Sequence, residues 1–471
     1  MANRVPPNFR RVITAAAGGN VIEWYDFYIF GALATILAVK FFDKTHPVAA
    51  LLSTIALFTA GFLIRPLGAF LFGWMGDRIG RKYTFLVTLS GMALGTGAIG
   101  LVPTIESIGV AAAVILFCLR MIQGLCLGGQ YGGAITYVAE HVSDERRGYY
   151  TGWLQTSPTL GIVLSLLVII VTRKYLGEAA FNAWGWRIPF LFSFLLMGIA
   201  YYIRVNFQES PIFEEIKAKG AMTKNPWKEA FGSANIKFVL IASIIVLGEG
   251  VVWYSGQFWA LYFLQTVQKI DQLTASYIVG AGLIIGTPTL ILCGWLSDHI
   301  GRKPVILAGF LLAAVTYYPL YKWLGEVAQP GNVNYVVAII IVAILVAYVG
   351  MVYGPIGAFL AEYFPARIRY TSVSVPYHIG NGWGGGLVPF ITTAMYAAYG
   401  SIGYALLYPI IVPAIAFVLG LFLMPETRQN SIWEEAAAEK AVKAAYSARS
   451  WSVLSMRPCG AHDVNRGLID P

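Results

Sequence analysis

Long apolar blocks separated by short polar breaks run through this 471-residue chain from about residue 12 to residue 424. Most blocks reach or pass the ~20 residues that carry an α-helix across the hydrocarbon core of a bilayer. They predict twelve membrane-spanning helices, at 12–39, 50–72, 84–103, 108–139, 149–173, 187–205, 236–264, 275–293, 304–323, 334–360, 371–398 and 401–424. Several are longer than a crossing requires, which predicts tilt or helix ends outside the lipid. The longest polar interruption, 206–235, is expected to hold short amphipathic helices (PIFEEIKAKG) and to join two six-helix halves, 1–205 and 236–424. The tail, 425–471, opens with the Ala-rich run SIWEEAAAEKAVKAAYSA, which has helix propensity but no sustained heptad, and its last twenty or so residues read as disordered. The expected fold class is an all-α membrane protein.

A charged phrase occurs twice. GWMGDRIGRK, Gly73 to Lys82, returns as GWLSDHIGRK, Gly294 to Lys303, roughly 221 positions later. Gly73, Asp77, Arg81 and Lys82 answer Gly294, Asp298, Arg302 and Lys303. A second pair, QYGGAITYVAE ending at Glu140 and VYGPIGAFLAE ending at Glu362, keeps about the same offset, and Arg147 and Arg369 each follow their Glu by seven residues. Two motifs at one offset indicate a duplicated half. A membrane protein built from two similar halves is expected to be a transporter with its site at the interface between the repeats.

Composition sharpens this. The chain is 57% hydrophobic and 12% charged, against roughly 45–50% and ~25% for soluble domains. A net charge of +9 could point to nucleic acid, but the basic residues form no patch; they lie in the breaks, where they orient helices. One set of breaks holds Arg78, Arg81, Lys82, Arg146, Arg147, Lys217, Lys219, Lys224, Lys228, Arg302, Lys303, Arg367 and Arg369, and Arg4, Arg10 and Arg11 lie at the start. The opposite breaks carry only scattered charges such as Lys40, Lys44, Arg173, Lys174, Lys269 and Lys322. Both termini are therefore expected in the cytoplasm, and no cleavable signal peptide is evident. Three of the four cysteines, Cys118, Cys126 and Cys293 but not Cys459, lie in or beside apolar blocks without metal spacing and read as packing residues.

The repeated G-W-x-x-D-x-x-G-R-K phrase resembles the loop motif of the major facilitator superfamily. GNVIEWYDFYIFG in the first block, WGWRIPFLFSF from Trp184 and PET at Pro425 to Thr427 are similar to the marks of its metabolite:proton symporter branch. The resemblance covers about Gly19 to Thr427. It implies the twelve-helix fold in two pseudo-symmetric halves and proton-coupled transport of a small molecule at the inner membrane. The branch carries organic acids such as α-ketoglutarate, citrate and shikimate, and zwitterions such as proline and betaine. One departure is LGGQYGG, with Gln130 where many relatives have a titratable Glu. The resemblance also assigns the loop residues Gly73, Asp77, Arg81, Lys82, Asp298, Arg302 and Lys303 to a cytoplasmic latch of the outward-open state, and Glu140 with Arg147 and Glu362 with Arg369 complete it.

Ionisable residues inside membrane spans are costly and mark function. Arg120 is the first candidate for gripping a substrate carboxylate, through two parallel charge-assisted hydrogen bonds; the alternative is an ion pair with Glu23 or Asp26. Those two acids, three apart on one helix face, are the candidate proton carriers, since a moving cation would switch their protonation. Arg65 lies in the second block, next to Pro66. Glu249 sits among Trp253, Tyr254 and Gln257, suited to a cationic or hydroxylated substrate group, to a second proton site, or to a gate. His378 and Asn381 share a face, and His378 titrates near neutral pH unless packing holds it. Asn20, Gln123, Gln130, Gln155 and Trp153 are further polar or aromatic cavity candidates. No catalytic, metal or nucleotide-binding constellation is present, so neither an enzyme nor a cofactor is expected. The expected function is symport of a small organic anion with protons. A zwitterion or osmolyte symporter is the alternative, and a transporter-like nutrient sensor fits less well because the tail is short. The expected partners are that substrate, protons and lipid, with no nucleic acid and no obligate protein partner evident.

Overall fold

The computed structural model describes residues 9–43, 45–79, 81–205, 227, 231–232, 235–364 and 369–432, with the side chains at 9–16, 73, 76–79, 81, 82, 85, 203–205 and 370 excepted. Met1–Asn430 form one compact unit, and Ser431–Pro471 another. Several expectations fall outside the described residues: the PIFEEIKAKG helices, most of the tail run, the basic residues Arg4, Lys217, Lys219, Lys224, Lys228 and Arg367, and the side chains of Arg10, Arg11, Asp77, Arg78, Arg81 and Lys82.

Twelve helical elements follow the order of the apolar blocks. They are α1 (Phe9–Ala32, then Ala34–Phe41), α2 (Pro47–Leu63, then Arg65–Ile79), α3 (Arg81–Ile99), α4 (Ala111–Gly128, then Tyr131–Glu140), α5 (Arg147–Ala183), α6 (Ile188–Val205), α7 (Ile236–Val267), α8 (Gln272–Gly286, then Pro288–Ile300), α9 (Arg302–Val327), α10 (Tyr335–Tyr353, then Ile356–Tyr363), α11 (Arg369–Tyr377, His378–Gly385, then Val388–Tyr399) and α12 (Leu407–Leu423). Among the described residues, seven stretches are each long and apolar enough to cross a membrane, and the two parts of α1, bent by 58°, make an eighth. Leu86–Ile99 in α3 and Leu407–Leu423 in α12 are shorter apolar helices. The remaining two elements are α6 and α11, and α11 is interrupted by a glycine-rich π-helical stretch.

Where an unbroken block was expected, the chain often breaks. Pro66 follows the break in α2 and Pro288 the break in α8, each near the start of a new helix, where a missing N–H costs nothing. α5 runs ten residues past its expected end at 173, because Gly177 adopts φ +78° and lets the chain turn before a last helical stretch. α7 contains two π-helical segments, Ser255–Trp259 and Phe263–Val267.

Small residues set the helix spacing. A Cβ on Gly68, Gly124 or Gly128 would run into the carbonyls of Leu125, Gly61 and Arg65, so α2 and α4 meet backbone to backbone. Gly148 of α5 and Gly294 of α8 pack against each other in the same way. Inside the bundle lies a dense aromatic layer of Trp24, Phe27, Tyr28, Phe58, Phe62, Trp253, Tyr254 and Phe258. Large apolar side chains such as Leu67, Leu71, Ile284, Leu292, Val315 and Phe422 face outward, as lipid contact requires.

Candidate functional site

Buried charge gathers in two places: the end of the bundle that carries the loop motifs, and its middle. At the loop end, Asp298 closes α8, and its carboxylate accepts the backbone N–H groups of Gly148 and Tyr149, both at 2.8 Å, at the start of α5. A helix N-terminus leaves these donors unpaired and carries partial positive charge, so the acid suits it twice over. Arg302, the first residue of α9, donates to Asp298 at 2.6 Å, to Ser297 at 2.7 Å and to both oxygens of Glu362 at 2.9 and 3.2 Å. Arg147 reaches the same Glu362 at 2.9 Å and also pairs with Asp144. Arg369 donates to Glu140 at 3.2 Å. Lys303 is half-buried and donates to the Leu421 carbonyl at 2.8 Å.

The expected pairing within each copy, Glu140 with Arg147 and Glu362 with Arg369, is therefore corrected. The partners are exchanged, so that each acid holds the arginine of the other copy. Sequence proximity favours the local pair, but α4–α5 and α10–α11 face each other across the bundle, and the crossed pairs are the ones within reach. Glu426 of the PET triplet is a member that sequence reasoning missed. Its carboxylate accepts the backbone N–H groups of Arg302 and Lys303 at 2.9 and 3.1 Å, while Thr427 donates to Glu362 at 2.8 Å. Nothing in the residue pattern reveals that the chain returns here after its last helix. The corresponding residues of the first copy, Gly73, Asp77, Arg81 and Lys82, lie on helical backbone with side-chain surroundings outside the described residues.

In the middle, Arg120 is fully buried. Its guanidinium donates to Gln123 at 2.8 Å and to the carbonyls of Phe27 and Phe58 at 3.2 and 3.3 Å, with the Phe27 ring 3.8 Å away. The alternative ion pair with Glu23 or Asp26 is not formed among the described residues; backbone carbonyls of α1 and α2 accept from the guanidinium instead. Gln123 in turn donates to Thr96 at 2.6 Å. Glu23 and Asp26 are both fully buried. Neither oxygen of Asp26 has a hydrogen bond, although Ser193 of α6 lies beside it out of bonding geometry.

Other candidates are held by neighbours. Asn20 donates to Ser157 at 3.2 Å, Gln130 to Thr88 at 3.1 Å, and Gln155 to the Tyr131 hydroxyl at 3.0 Å and the Tyr353 carbonyl at 3.1 Å. Asn381 donates to both oxygens of Glu249 at 3.2 and 3.3 Å. Trp253 stacks on Tyr28, ring centroids 5.4 Å apart, and its indole N–H has no acceptor. His378 is buried with both ring nitrogens lacking hydrogen bonds. Trp153 is 45% exposed and turns away from the middle. Arg65 gains prominence here. It is fully buried, none of its three guanidinium nitrogens is hydrogen-bonded, and its charge lies 4.1 Å from the Phe62 ring, 4.5 Å from Phe27 and 5.3 Å from Trp24. An arginine beside a proline inside an apolar block was the available signal.

Contacts between the copies also lie within and beyond the aromatic layer. Tyr262 donates to the Gly31 carbonyl at 2.8 Å, Gln272 to the Ala32 carbonyl at 3.2 Å, and the Tyr28 and Tyr254 hydroxyls meet at 3.2 Å. The buried charges of the middle are thus enclosed between these bridges and the ion pairs of the loop end. Such an enclosure can hold a small polar molecule away from water and release it only when one set of contacts opens.

A profile of the Major Facilitator Superfamily matches residues 16–375 and, in a second overlapping stretch, 269–461. The inner membrane metabolite transport protein YhjE of Escherichia coli strain K12 is 32% identical over 443 residues, 91% of this chain and 97% of its own length. The glycine betaine/proline/ectoine/pipecolic acid transporter OusA of Dickeya dadantii is 29% identical over 434 residues, 90% of this chain and 84% of its own. The citrate-proton symporter of Salmonella typhi is 31% identical over 404 residues, 84% and 90% of the two chains. Among solved structures, the proton:xylose symporter XylE from E. coli superposes with a TM-score of 0.73 at 17% identity, over 91% of this chain and 98% of its own. The chain belongs to the Major Facilitator Superfamily and has its fold. It is a multi-pass membrane transporter, not an enzyme.

Proposed function

We propose that this transporter carries a small organic anion, a mono-, di- or tricarboxylate, together with protons. Its two halves, 1–205 and 236–424, joined by 206–235, rock around a site in the middle of the membrane. The observation that carries the anion is a pair of fully buried guanidiniums, Arg65 and Arg120, neither of them ion-paired with an acid among the described residues. Uncompensated buried cations are expensive, and an arriving carboxylate relieves that cost. Asp26, fully buried with neither oxygen hydrogen-bonded, supports the proton: an ionisable side chain inside a membrane span is costly and marks function. The citrate-proton symporter among the relatives agrees with both. The lysine and arginine bias of the loops supports a cytoplasmic position for both termini and for the Asp298–Glu362 latch.

A zwitterionic substrate is the second reading. It is favoured by Glu249, which among the described residues accepts hydrogen bonds from Asn381, and by an aromatic wall of Trp253, Tyr254 and Tyr28 that suits a quaternary ammonium group. Uptake of labelled citrate, α-ketoglutarate and glycine betaine into proteoliposomes under an imposed pH gradient separates the readings. The organic-anion reading expects citrate or α-ketoglutarate to accumulate, with loss on adding a protonophore. Accumulation of betaine alone replaces it with the zwitterion reading, and uptake that ignores both gradient and protonophore makes the protein a uniporter or exchanger.

A further inference from the structure

We infer that Arg65, rather than Arg120, is the side chain that grips the substrate carboxylate, with Arg120 positioning α1, α2 and α4 around it. The inference rests on the organic-anion reading above. An arginine has five N–H donors in a fixed fork. Arg120 has placed both Nη groups on Gln123 and on two carbonyls, of α1 and of α2, and only its Nε is without a hydrogen bond. Prising them away would leave those acceptors unmet. Arg65 has no such commitments: its Nε, Nη1 and Nη2 are all without hydrogen bonds, and no part of the residue reaches solvent. The rings of Trp24, Phe27 and Phe62 stabilise its charge but offer no lone pair to an N–H. A carboxylate presents two oxygens in one plane, the acceptor that this fork of donors fits.

Its place in the fold is that of a ligand between halves. Arg65 begins the second part of α2, directly after the break, and there α2 meets α11. Trp383 donates to the Leu63 carbonyl at 3.1 Å, and Thr59 donates to the Gly386 carbonyl at 3.0 Å. A Cβ on Gly382 would lie 3.8 Å from the Arg65 side chain. The Tyr254 hydroxyl of α7 stands beside its guanidinium, and His378 of α11, next to the backbone of Gly128, is within its electrostatic reach. A guanidinium on the first copy thus looks onto polar side chains of the second, across the surface where a transported molecule has to be held. The break itself needs no arginine. About 222 residues later α8 breaks in the same way before Pro288, and there Thr287 stands in the place of Arg65.

The test is direct binding to purified full-length protein in nanodiscs, with citrate, α-ketoglutarate, benzoate and glycine betaine as probes, each of which carries a carboxylate. The parent is expected to bind at least one. If it binds none, the organic-anion reading fails first and Arg65 has no ligand. With the probe that binds, Arg65→Gln is expected to weaken affinity by about tenfold or more, and Arg65→Lys by less, because a point charge keeps the attraction but loses the fork. Unfolding of the empty proteins gives the second readout. Arg65→Gln removes an unmet buried charge and should leave Tm unchanged or raise it, whereas Arg120→Gln strips bonded acceptors and should lower Tm. Unchanged probe affinity in Arg65→Gln, or a collapse of Tm in Arg65→Gln while Arg120→Gln keeps its stability, overturns the assignment.

Discussion

Glu362 accepts hydrogen bonds from Arg147 of the first copy, Arg302 of the second and Thr427 beyond the last helix, and all four side chains are buried. Removing the acid would leave two guanidiniums facing each other in a site with little water. Losing one partner of a buried pair costs about 3–5 kcal/mol. Glu362→Gln is therefore expected to lower the melting temperature of the purified protein by several degrees, and an unchanged Tm would mean that the cluster adds no net stability. Asp298→Asn is subtler. The amide keeps one acceptor for the start of α5 but loses the charge that Arg302 and the helix terminus share. Initial uptake should fall well below that of the parent while ligand affinity and membrane expression hold, because Asp298 touches the latch and no group of the middle layer. Equal uptake rates would remove Asp298 from the latch. These residues were legible because they recur at one offset. Their partners were not: the exchange of Glu140 and Glu362, the carbonyls that hold Arg120 and the return of Glu426 all depend on three-dimensional proximity, and the residue pattern carries no trace of it.

At the scale of elements, the apolar blocks fixed helix number and order because burying about twenty residues in lipid leaves the backbone no choice but a helix. The interruptions were harder to read. Pro66 and Pro288 sit inside long apolar blocks, so a pattern of apolar residues passes over the breaks that place Arg65 at the α2–α11 contact. Glycines mark the close contacts, and those at 380, 382, 384 and 385 lie in the π-helical stretch His378–Gly385 of α11. Not every glycine works in this way, and that difference is measurable. A Cβ at position 124 would overlap the Gly61 carbonyl, whereas one at Gly198 would meet nothing within 4 Å. Gly124→Ala is expected to destabilise by about 1–3 kcal/mol, since two backbones must move apart. Gly198→Ala should be neutral or slightly stabilising through helix propensity alone. Comparable melting temperatures for the two variants would refute the close α2–α4 contact.

Over the whole molecule, the duplicated motifs pointed to two related halves without disclosing which contacts close the ends, because closure involves hydroxyls and carbonyls, such as Tyr262 on Gly31, that no motif marks. Coupling is a property at this scale, since a proton and a substrate must be carried in the same cycle even if their ligands never touch. Asp26 is placed for this on α1, one residue before Phe27, whose carbonyl and ring both contact Arg120 and whose ring also contacts Arg65. A shift of either arginine when a carboxylate binds would therefore be felt along α1. Opening one end would also admit water to a carboxyl that the enclosed state keeps dry, and a hydrated carboxyl releases its proton far more readily than a buried one. Asp26→Asn cannot release a proton in either state. It should still pass through the cycle with substrate bound, because the amide has the size and neutrality of the protonated acid. We therefore expect Asp26→Asn vesicles to lose uphill, protonophore-sensitive uptake while counterflow of labelled against unlabelled substrate survives. Glu23→Gln, whose acid shares the face of α1, should show a milder loss if Asp26 is the carrier and the same loss if the two act together. If both variants accumulate substrate under an imposed pH gradient as the parent does, the proton travels by another group, and Glu249, buried on α7 and held by Asn381, is the next to change.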